Sequence, residues 1–218
     1  RALIRTAGVP VAAPSANLSG RPSPTTATAV MADMAGRIEM VLDGGACEVG
    51  LESTVLDCTA EVPTILRPGG VTQEMLQFFL GQVQASGEER MERAEVPKAP
   101  GMKYRHYAPA APLRLFSSDA IEGEFGLLRQ LQAVQSAGKK VGAVVSPETA
   151  MLLPSGVEIA IHGSRKTPAA AAAGLYQALR WFDTHPVDVI FAEGVQEQGI
   201  GRALMNRLYK AAGSAGEE

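Results

Sequence analysis

Short apolar runs alternate with longer segments of helical period through the second half of the chain. Each run is long enough for one buried strand, and the four runs are residues 113–116, 141–145, 157–161 and 187–192. The helical segments that follow them are residues 121–137, 148–153, 168–184 and 201–212. An alternation of strand and helix predicts a parallel sheet with right-handed crossovers. Residues 113–218 are therefore predicted to form a compact α/β domain.

The first 84 residues mix short strands with turn-rich loops and are predicted to form a separate domain. Apolar runs predict four strands, at residues 9–13, 38–42, 53–58 and 64–67. Helices are predicted at residues 1–7, 25–35 and 72–83. Ser23 before Pro24, and Thr72 before an acidic first turn, are typical of helix starts.

Between these parts, residues 85–112 are rich in charge, proline and glycine and have no period, which predicts a linker. Tyr104 and Tyr107 are unusual in a spacer, because aromatic rings bury area at low entropic cost. We therefore expect residues 98–109 to form an ordered lid that packs over a binding pocket and excludes water. The alternative is that the tyrosines only hold the two domains together.

Composition places the chain among globular proteins and limits the classes of molecule that it is expected to bind. Hydrophobic residues make up 46% of the 218 residues and charged residues 20%, which excludes a disordered chain. The net charge of -3 provides no global basic field for nucleic acid. No apolar run approaches the roughly 20 residues of a membrane span. Cys47 and Cys58 lack CxxC spacing and no histidine pair has metal-ligand spacing, so we expect a reduced, cytoplasmic protein without a tightly bound metal.

Hydroxyl and amide side chains cluster after the first predicted strand. Ser15 and Asn17 lie in a loop where they can bind an anion or a ligand amide, or can satisfy their own backbone. Ser23 stands at a predicted helix N-terminus, which is a second position suited to an anion. The loop is therefore a candidate binding site, with a purely structural alternative.

A second block, residues 50–69, contributes an acid and a cation. Arg67 ends a predicted strand, and its guanidinium can bind a phosphate through two parallel hydrogen bonds or can form a surface ion pair. Glu52 fits a base or a metal ligand, but a cap or an ion pair fits equally. Ser53 can bind a ligand or stand without a role at the strand edge. The residues alone leave these alternatives open.

Taken jointly, five blocks resemble the YrdC-like threonylcarbamoyl-AMP synthase family in its long, two-domain form. The blocks are Ala12-Ala13-Pro14-Ser15-Ala16-Asn17-Leu18-Ser19-Gly20, Pro22-Ser23-Pro24-Thr25, Leu42-Asp43-Gly44-Gly45, Gly50-Leu51-Glu52-Ser53-Thr54-Val55 and Ile65-Leu66-Arg67-Pro68-Gly69. Residues 99–109 resemble the family's interdomain segment, and residues 199–208 resemble its C-terminal domain. The resemblance implies the C-terminal part of a YrdC-like twisted α/β sheet domain at 1–84. An ordered linker at 85–112 would join it to a Rossmann-like parallel-sheet domain at 113–218.

The family implies an ATP-dependent reaction. L-Threonine, bicarbonate and ATP give threonylcarbamoyl-adenylate and pyrophosphate, so the enzyme is a nucleotidyltransferase that serves threonylcarbamoyladenosine modification of tRNA. Mg²⁺ is implied as the companion of ATP. Binding of tRNA or other double-stranded RNA, and downstream threonylcarbamoyl-transfer proteins, are implied as further partners in the cytoplasm, with no membrane.

The resemblance also implies site residues, although it assigns no catalytic residue. ATP or the adenylate would be bound by Ser15, Asn17, Ser23, Arg67 and Tyr107. L-Threonine would be bound by Ala13 and Ser53.

One part of the family pattern is missing from the chain. The family's lysine-arginine element and its arginine for the threonine carboxylate would precede Arg1, so we expect a C-terminal piece with an incomplete catalytic site. An RNA-binding or regulatory module of the same fold is an alternative, disfavoured because residues 1–84 contain no lysine. A carbamoyl-transfer domain of the hydrogenase-maturation type is a third class, disfavoured by the linker and the C-terminal domain.

Overall fold

The computed structural model describes residues 1–85 and 107–213, which form two units with separate sheets. The elements of the first unit are α1 (Ala2–Ala7), α2 (Ala27–Met34), β1 (Val55–Asp57), β2 (Thr64–Arg67), α3 (Gln73–Leu80) and β3 (Gln84–Ala85). Strand β2 lies in the middle of this sheet, antiparallel to β1 and parallel to β3. Cys47 and Cys58 are exposed free thiols.

The second unit is a four-stranded parallel sheet with helices on both faces. Its elements in chain order are β4 (Leu113–Phe116), α4 (Leu127–Ser136), β5 (Val141–Val145), α5 (Pro147–Ala150), β6 (Glu158–Ile161), α6 (Pro168–Trp181), β7 (Val189–Glu193) and α7 (Ile200–Ala212). The strands lie side by side in the order β4, β7, β5, β6, and every neighbouring pair is parallel. The predicted Rossmann-like fold is therefore confirmed for this unit.

The core of the chain lies on the two faces of the second sheet. On one face, α6 and α7 pack through Leu175 and Leu208 against Ile190 of β7. On the other face, α4 packs through Leu127 and Leu131. Every residue of the central strands β5 and β7 is buried, because a parallel strand covered on both faces meets no solvent.

The sequence predicted the second unit more accurately than the first. All four predicted strands are present within two residues of their expected bounds, whereas α4 begins at Leu127, later than predicted, and α5 is a single turn. In the first unit, β1, β2 and α3 are confirmed, and Thr72 caps α3 as expected by accepting from the Met75 amide at 3.3 Å. Gly8 ends α1 in the left-handed conformation at φ +65°.

Three predictions for the first unit are wrong. Residues 9–13 and 38–42 form no strand, because a strand needs a neighbour for its backbone groups and neither run pairs with any described residue. Both runs are almost entirely exposed. Ser23 does not cap α2; Thr26 does, by accepting from the Ala29 amide at 3.2 Å. The Ser23 hydroxyl is engaged elsewhere, as described below.

Most of the predicted lid, residues 98–106, lies outside the described residues, and only its end from Tyr107 can be placed. None of the helices in the described ranges combines the length and apolarity that a membrane span requires.

Candidate active site

Glu52 lies where the two units meet and connects them. Its carboxylate accepts a hydrogen bond from Arg207 Nε at 2.8 Å and from the Tyr176 hydroxyl at 2.9 Å, both in the second unit. From the first unit, Ser23 Oγ donates to it at 3.0 Å. The loop approaches α6 closely at Gly50, where a Cβ would overlap the α6 backbone and φ is +73°. Of the alternatives for Glu52, the ion pair is confirmed.

Charge and burial fix the protonation state of this pair. Burial alone would raise the pKa of Glu52, but the charge of Arg207 and hydrogen bonds from Arg207 and Tyr176 outweigh burial and lower the pKa. Burial opposes the charge of Arg207, yet the facing acidic groups, the Tyr176 hydroxyl and the Glu52 carboxylate, raise the pKa of this guanidinium. Glu52 is therefore a carboxylate near neutral pH, held by three donors and poorly suited to act as a base.

Two stacked tyrosines cover the ion pair. The ring of Tyr107 stacks on that of Tyr176 with centroids 5.2 Å apart and planes 23° apart. The guanidinium of Arg207 lies 5.7 Å from the Tyr107 centroid, within cation–π range. Burial raises the pKa of Tyr107, and charges of Arg207, Glu52 and Arg67 also act on its hydroxyl. Tyr107 thus anchors the end of the linker at the junction, close to the candidate site.

Arg67 and Ser53 are brought together across the first sheet. Arg67 donates to the carbonyl of Ser53 from Nε at 3.2 Å and from Nη2 at 2.9 Å, and Nη2 also contacts Ser53 Oγ at 3.3 Å. Arg67 is buried and forms no salt bridge within the described ranges. The surface ion pair considered for Arg67 is therefore wrong, and its guanidinium is held in a fixed orientation.

The loop that carries the first block satisfies much of its own backbone. Asn17 Nδ2 donates to the carbonyls of Leu18 at 2.8 Å and Arg21 at 3.3 Å, whereas Asn17 Oδ1 is buried without a hydrogen-bond partner. Ser15 and Ala13 are exposed. The structure thus joins Ser53 to Arg67 and Ser23 to Glu52 by direct contacts, whereas the side chains of Ser15 and Ala13 make no such contact with the described residues.

A second ionic contact between the units was missed by sequence reasoning. Asp33 of α2 is buried and accepts from Arg21 and from Arg180 of α6. Arg180 Nε also donates to the Pro22 carbonyl at 3.1 Å, so α6 holds the loop that leads to Ser23. Tyr176 and Arg207 were missed as well, because their partners lie more than 100 positions away. The only sequence signal was the resemblance of residues 199–208.

A cavity of about 640 Å³ opens between the starts of α3 and α7. Its lining includes Thr72, Glu74 and Gly199 but none of the predicted site residues. The pKa of Glu74 is lowered, chiefly by hydrogen bonds from its own helix start. Among residues 1–85 and 107–213, no group of three His, Cys, Asp or Glu side chains is placed to hold a metal ion.

The lowered pKa of Glu52 predicts a pH dependence of stability. Because the folded pKa lies below the ordinary 4.5, the carboxylate stabilises the fold above that pH, and this stabilisation is lost as the pH falls through the folded pKa. Urea unfolding measured between about pH 7 and pH 3 should give a steeper acid loss for the wild type than for Glu52→Gln. Glu39→Gln, at an exposed position, is the control and should retain the wild-type slope. Parallel curves for the wild type and Glu52→Gln would contradict the assignment.

The fold and the junction define a class of two-unit α/β proteins in which the second unit is Rossmann-like. The ion pair of Glu52 and Arg207 joins the two units, and the buried guanidinium of Arg67 lies in the first. Family models match most of the chain, "Threonylcarbamoyl-AMP synthase, C-terminal domain" over residues 71–213 and "Telomere recombination" over residues 1–69. The chain belongs to the threonylcarbamoyl-AMP synthase family.

Individual relatives agree with this assignment. The chain is 46% identical to threonylcarbamoyl-AMP synthase of Bacillus subtilis and 41% identical to that of Pyrococcus abyssi, in each case over 97% of this chain and 60% of the relative. The crystal structure of P. abyssi Sua5 complexed with L-threonine is 40% identical and superposes with a TM-score of 0.84, over 96% of this chain and 60% of that one. The chain thus spans about 60% of the length of these relatives.

Proposed function

We propose that the complete protein forms L-threonylcarbamoyl-adenylate and pyrophosphate from L-threonine, bicarbonate and ATP, as a nucleotidyltransferase. The observation that carries the proposal is the 0.84 TM-score at 40% identity to a relative crystallised with L-threonine. The buried guanidinium of Arg67, oriented by Ser53, supports it locally, because an oriented arginine is suited to an adenylate phosphate. The adenylate would supply threonylcarbamoyladenosine modification of tRNA in the cytoplasm.

Arg67 is proposed to bind the phosphate through donors that Ser53 does not use. The Ser53 contacts occupy Nε and Nη2, so the Nη1 hydrogens are outside these contacts. A fixed guanidinium stabilises developing charge without reorganising during the reaction. Ser53 is proposed to face L-threonine, together with the backbone of Ala13. Positioning, and not a protein base, would then dominate the catalysis.

The hydrogen bonds of Ser23 and Asn17 indicate which groups of the nucleotide these two side chains can contact. Ser23 already donates its hydroxyl hydrogen to Glu52, so toward a ligand this oxygen can only accept. Asn17 Oδ1 is likewise a buried acceptor in need of a donor. Both acceptor oxygens fit the hydroxyl or amino groups of the nucleotide better than its phosphates. Ser15, which is exposed, is proposed as the further nucleotide contact.

The second unit is proposed to position this site. Arg207 and Tyr176 fix Glu52, which is the neighbour of Ser53, and Arg180 fixes the loop before Ser23. Tyr107, in the last part of the linker, lies beside the same ion pair, which supports its proposed place near the adenylate. We retain the division into residues 1–84, a linker or lid at 85–112 and residues 113–218, supported by the two separate sheets. Mg²⁺ is proposed to enter with ATP.

The test is turnover by the complete protein. Purified enzyme with ATP, L-threonine and bicarbonate should release pyrophosphate and form threonylcarbamoyl-adenylate, detected by chromatography and mass spectrometry. Omission of L-threonine or bicarbonate should abolish the product. Pyrophosphate release that is indifferent to L-threonine would contradict the proposal. Binding of tRNA without any turnover would favour the non-catalytic module instead.

A further inference from the structure

A second polar cluster lies in the second unit, at the carboxyl edge of the parallel sheet. Ser146 follows β5, His162 follows β6 and Glu193 ends β7, and all three side chains are almost completely buried. Ser146 donates to Glu193 Oε2 from its backbone nitrogen and from Oγ, each at 2.8 Å. These residues take no part in the contacts of Glu52, Arg67 or Tyr107 described above.

The cluster lies where the connections of the sheet diverge. Neighbouring strands β5 and β7 leave their carboxyl ends in opposite directions, since α5 leads from β5 toward β6, whereas α7 packs against β4. Where connections diverge in this way, parallel α/β sheets commonly bind ligands in a crevice at the carboxyl edge. Ser146 and Glu193 stand on its two sides.

Several polar atoms in and beside this cluster form no hydrogen bond of ordinary geometry with the described residues. They are Glu193 Oε1, Glu148 Oε2 and both ring nitrogens of His162. Buried polar groups are nearly always hydrogen-bonded to protein or to ordered water, so several such atoms in one place suit a polar ligand or bound water. Burial lowers the pKa of His162, although the charge of Glu193 opposes this, and the neutral ring offers one donor and one acceptor.

A cation stands at the solvent side of the cluster. Arg165 is 38% exposed, and its Nη1 lies 3.7 Å from Glu193 Oε1, too far for a hydrogen bond. Lys166 follows it and is also exposed. Because Arg165 lies beside Glu193 Oε1 on the solvent side, the site favours a molecule with an anionic group at its outer end.

We propose that this crevice binds the sugar-phosphate part of a nucleotide, with the two adjacent ribose hydroxyls on Glu193 and Glu148 and the phosphate on Arg165. Carboxylate oxygens without donors require hydroxyl or amino hydrogens, and a vicinal diol supplies two at adjacent positions. In the dinucleotide-binding domains of this architecture, an acidic side chain hydrogen-bonds a ribose hydroxyl. His162 accepts from or donates to the sugar oxygens between them.

Histidine resonances provide the test, because the chain contains only three histidines. The chain labelled with ¹⁵N-histidine is titrated with ribose 5-phosphate, and the His162 signals are assigned with His162→Gln. We expect the His162 ring signals to shift saturably, whereas those of His185, which is stacked on Trp181, remain in place. Arg165→Ala and replacement of the probe by 2-deoxyribose 5-phosphate should each weaken binding about tenfold.

Several results would overturn the proposal. These are absence of a His162 shift at about 10 mM probe, equal affinity for the deoxy sugar, the same shift with inorganic phosphate alone, and broadening of the His162 signals by Mn²⁺ without sugar. A shift confined to His106 would place the ligand at the linker and not in this crevice. Because the probe lacks adenine, triphosphate and threonine, a negative result here leaves the proposed synthase activity untouched, and failure of that activity leaves this binding test unaffected.

Discussion

Replacing Arg207 with methionine should destabilise the folded chain by about 3–5 kcal/mol, because removal of one partner leaves a buried charge uncompensated. The carboxylate of Glu52, whose side chain is only 18% exposed, would lose its ion partner and remain charged and largely buried. The same change removes the cation from the face of Tyr107. Urea unfolding at neutral pH gives the difference directly.

Arg202→Met on the same helix is the matched control for Arg207. Arg202 donates to Gln73 and faces Glu74 at 4.0 Å, but it is 35% exposed, so its loss should cost less than about 1 kcal/mol. The double variant Glu52→Gln with Arg207→Met should be more stable than the sum of the single changes predicts, since no charge remains unpaired. Equal losses for Arg202→Met and Arg207→Met would show that the buried pair does not join the two units.

Arg67→Ala should weaken nucleotide binding by the complete protein by roughly 1.5–3 kcal/mol, or about tenfold to a hundredfold, because a hydrogen bond to a charged group is lost. Turnover should fall at least as far if the guanidinium also stabilises charge that develops on the phosphate. Calorimetry with a non-hydrolysable ATP analogue measures the first effect, and pyrophosphate release measures the second.

Two further variants distinguish the loss of phosphate binding from structural damage at Arg67. Arg67→Lys keeps the charge but loses the fork that holds the Ser53 carbonyl, and it should recover only part of the affinity. Arg37→Ala removes an exposed charge from the same unit and should bind the analogue normally. If Arg67→Ala bound the ATP analogue with unchanged affinity, the proposed phosphate contact would be wrong, whatever the effect of the substitution on stability.

Strands of the second unit could be predicted because each is a short, mostly apolar run between turn signals. Residues 141–145 are apolar throughout, and a strand buried on both faces requires this pattern. The same criterion failed for residues 9–13 and 38–42, which are also mostly apolar but have no neighbouring strand among the described residues. Apolar character predicts burial, whereas pairing depends on what else lies beside the run.

The candidate site was only partly accessible to sequence reasoning. Ser53 and Arg67 were assigned to one site from the family resemblance, and their contact is real, but the roles implied for them remain proposals. Ser23 was expected to cap a helix and instead donates to Glu52, because Thr26 provides the cap three residues later. A hydroxyl near a helix start has several acceptors within reach, and local sequence does not rank them.

By itself, the sequence determined the α/β character of the chain, the order of the strands and helices in the second unit, and the family to which the chain belongs. These properties follow from local periodicity and from ordered motifs. Only the tertiary structure decided that Glu52 pairs with Arg207, that Asp33 pairs with Arg180, and that Ser146 meets Glu193 at the sheet edge. Such partners lie 47 to 155 positions apart, and their meeting depends on how strands and helices pack, which no local pattern encodes.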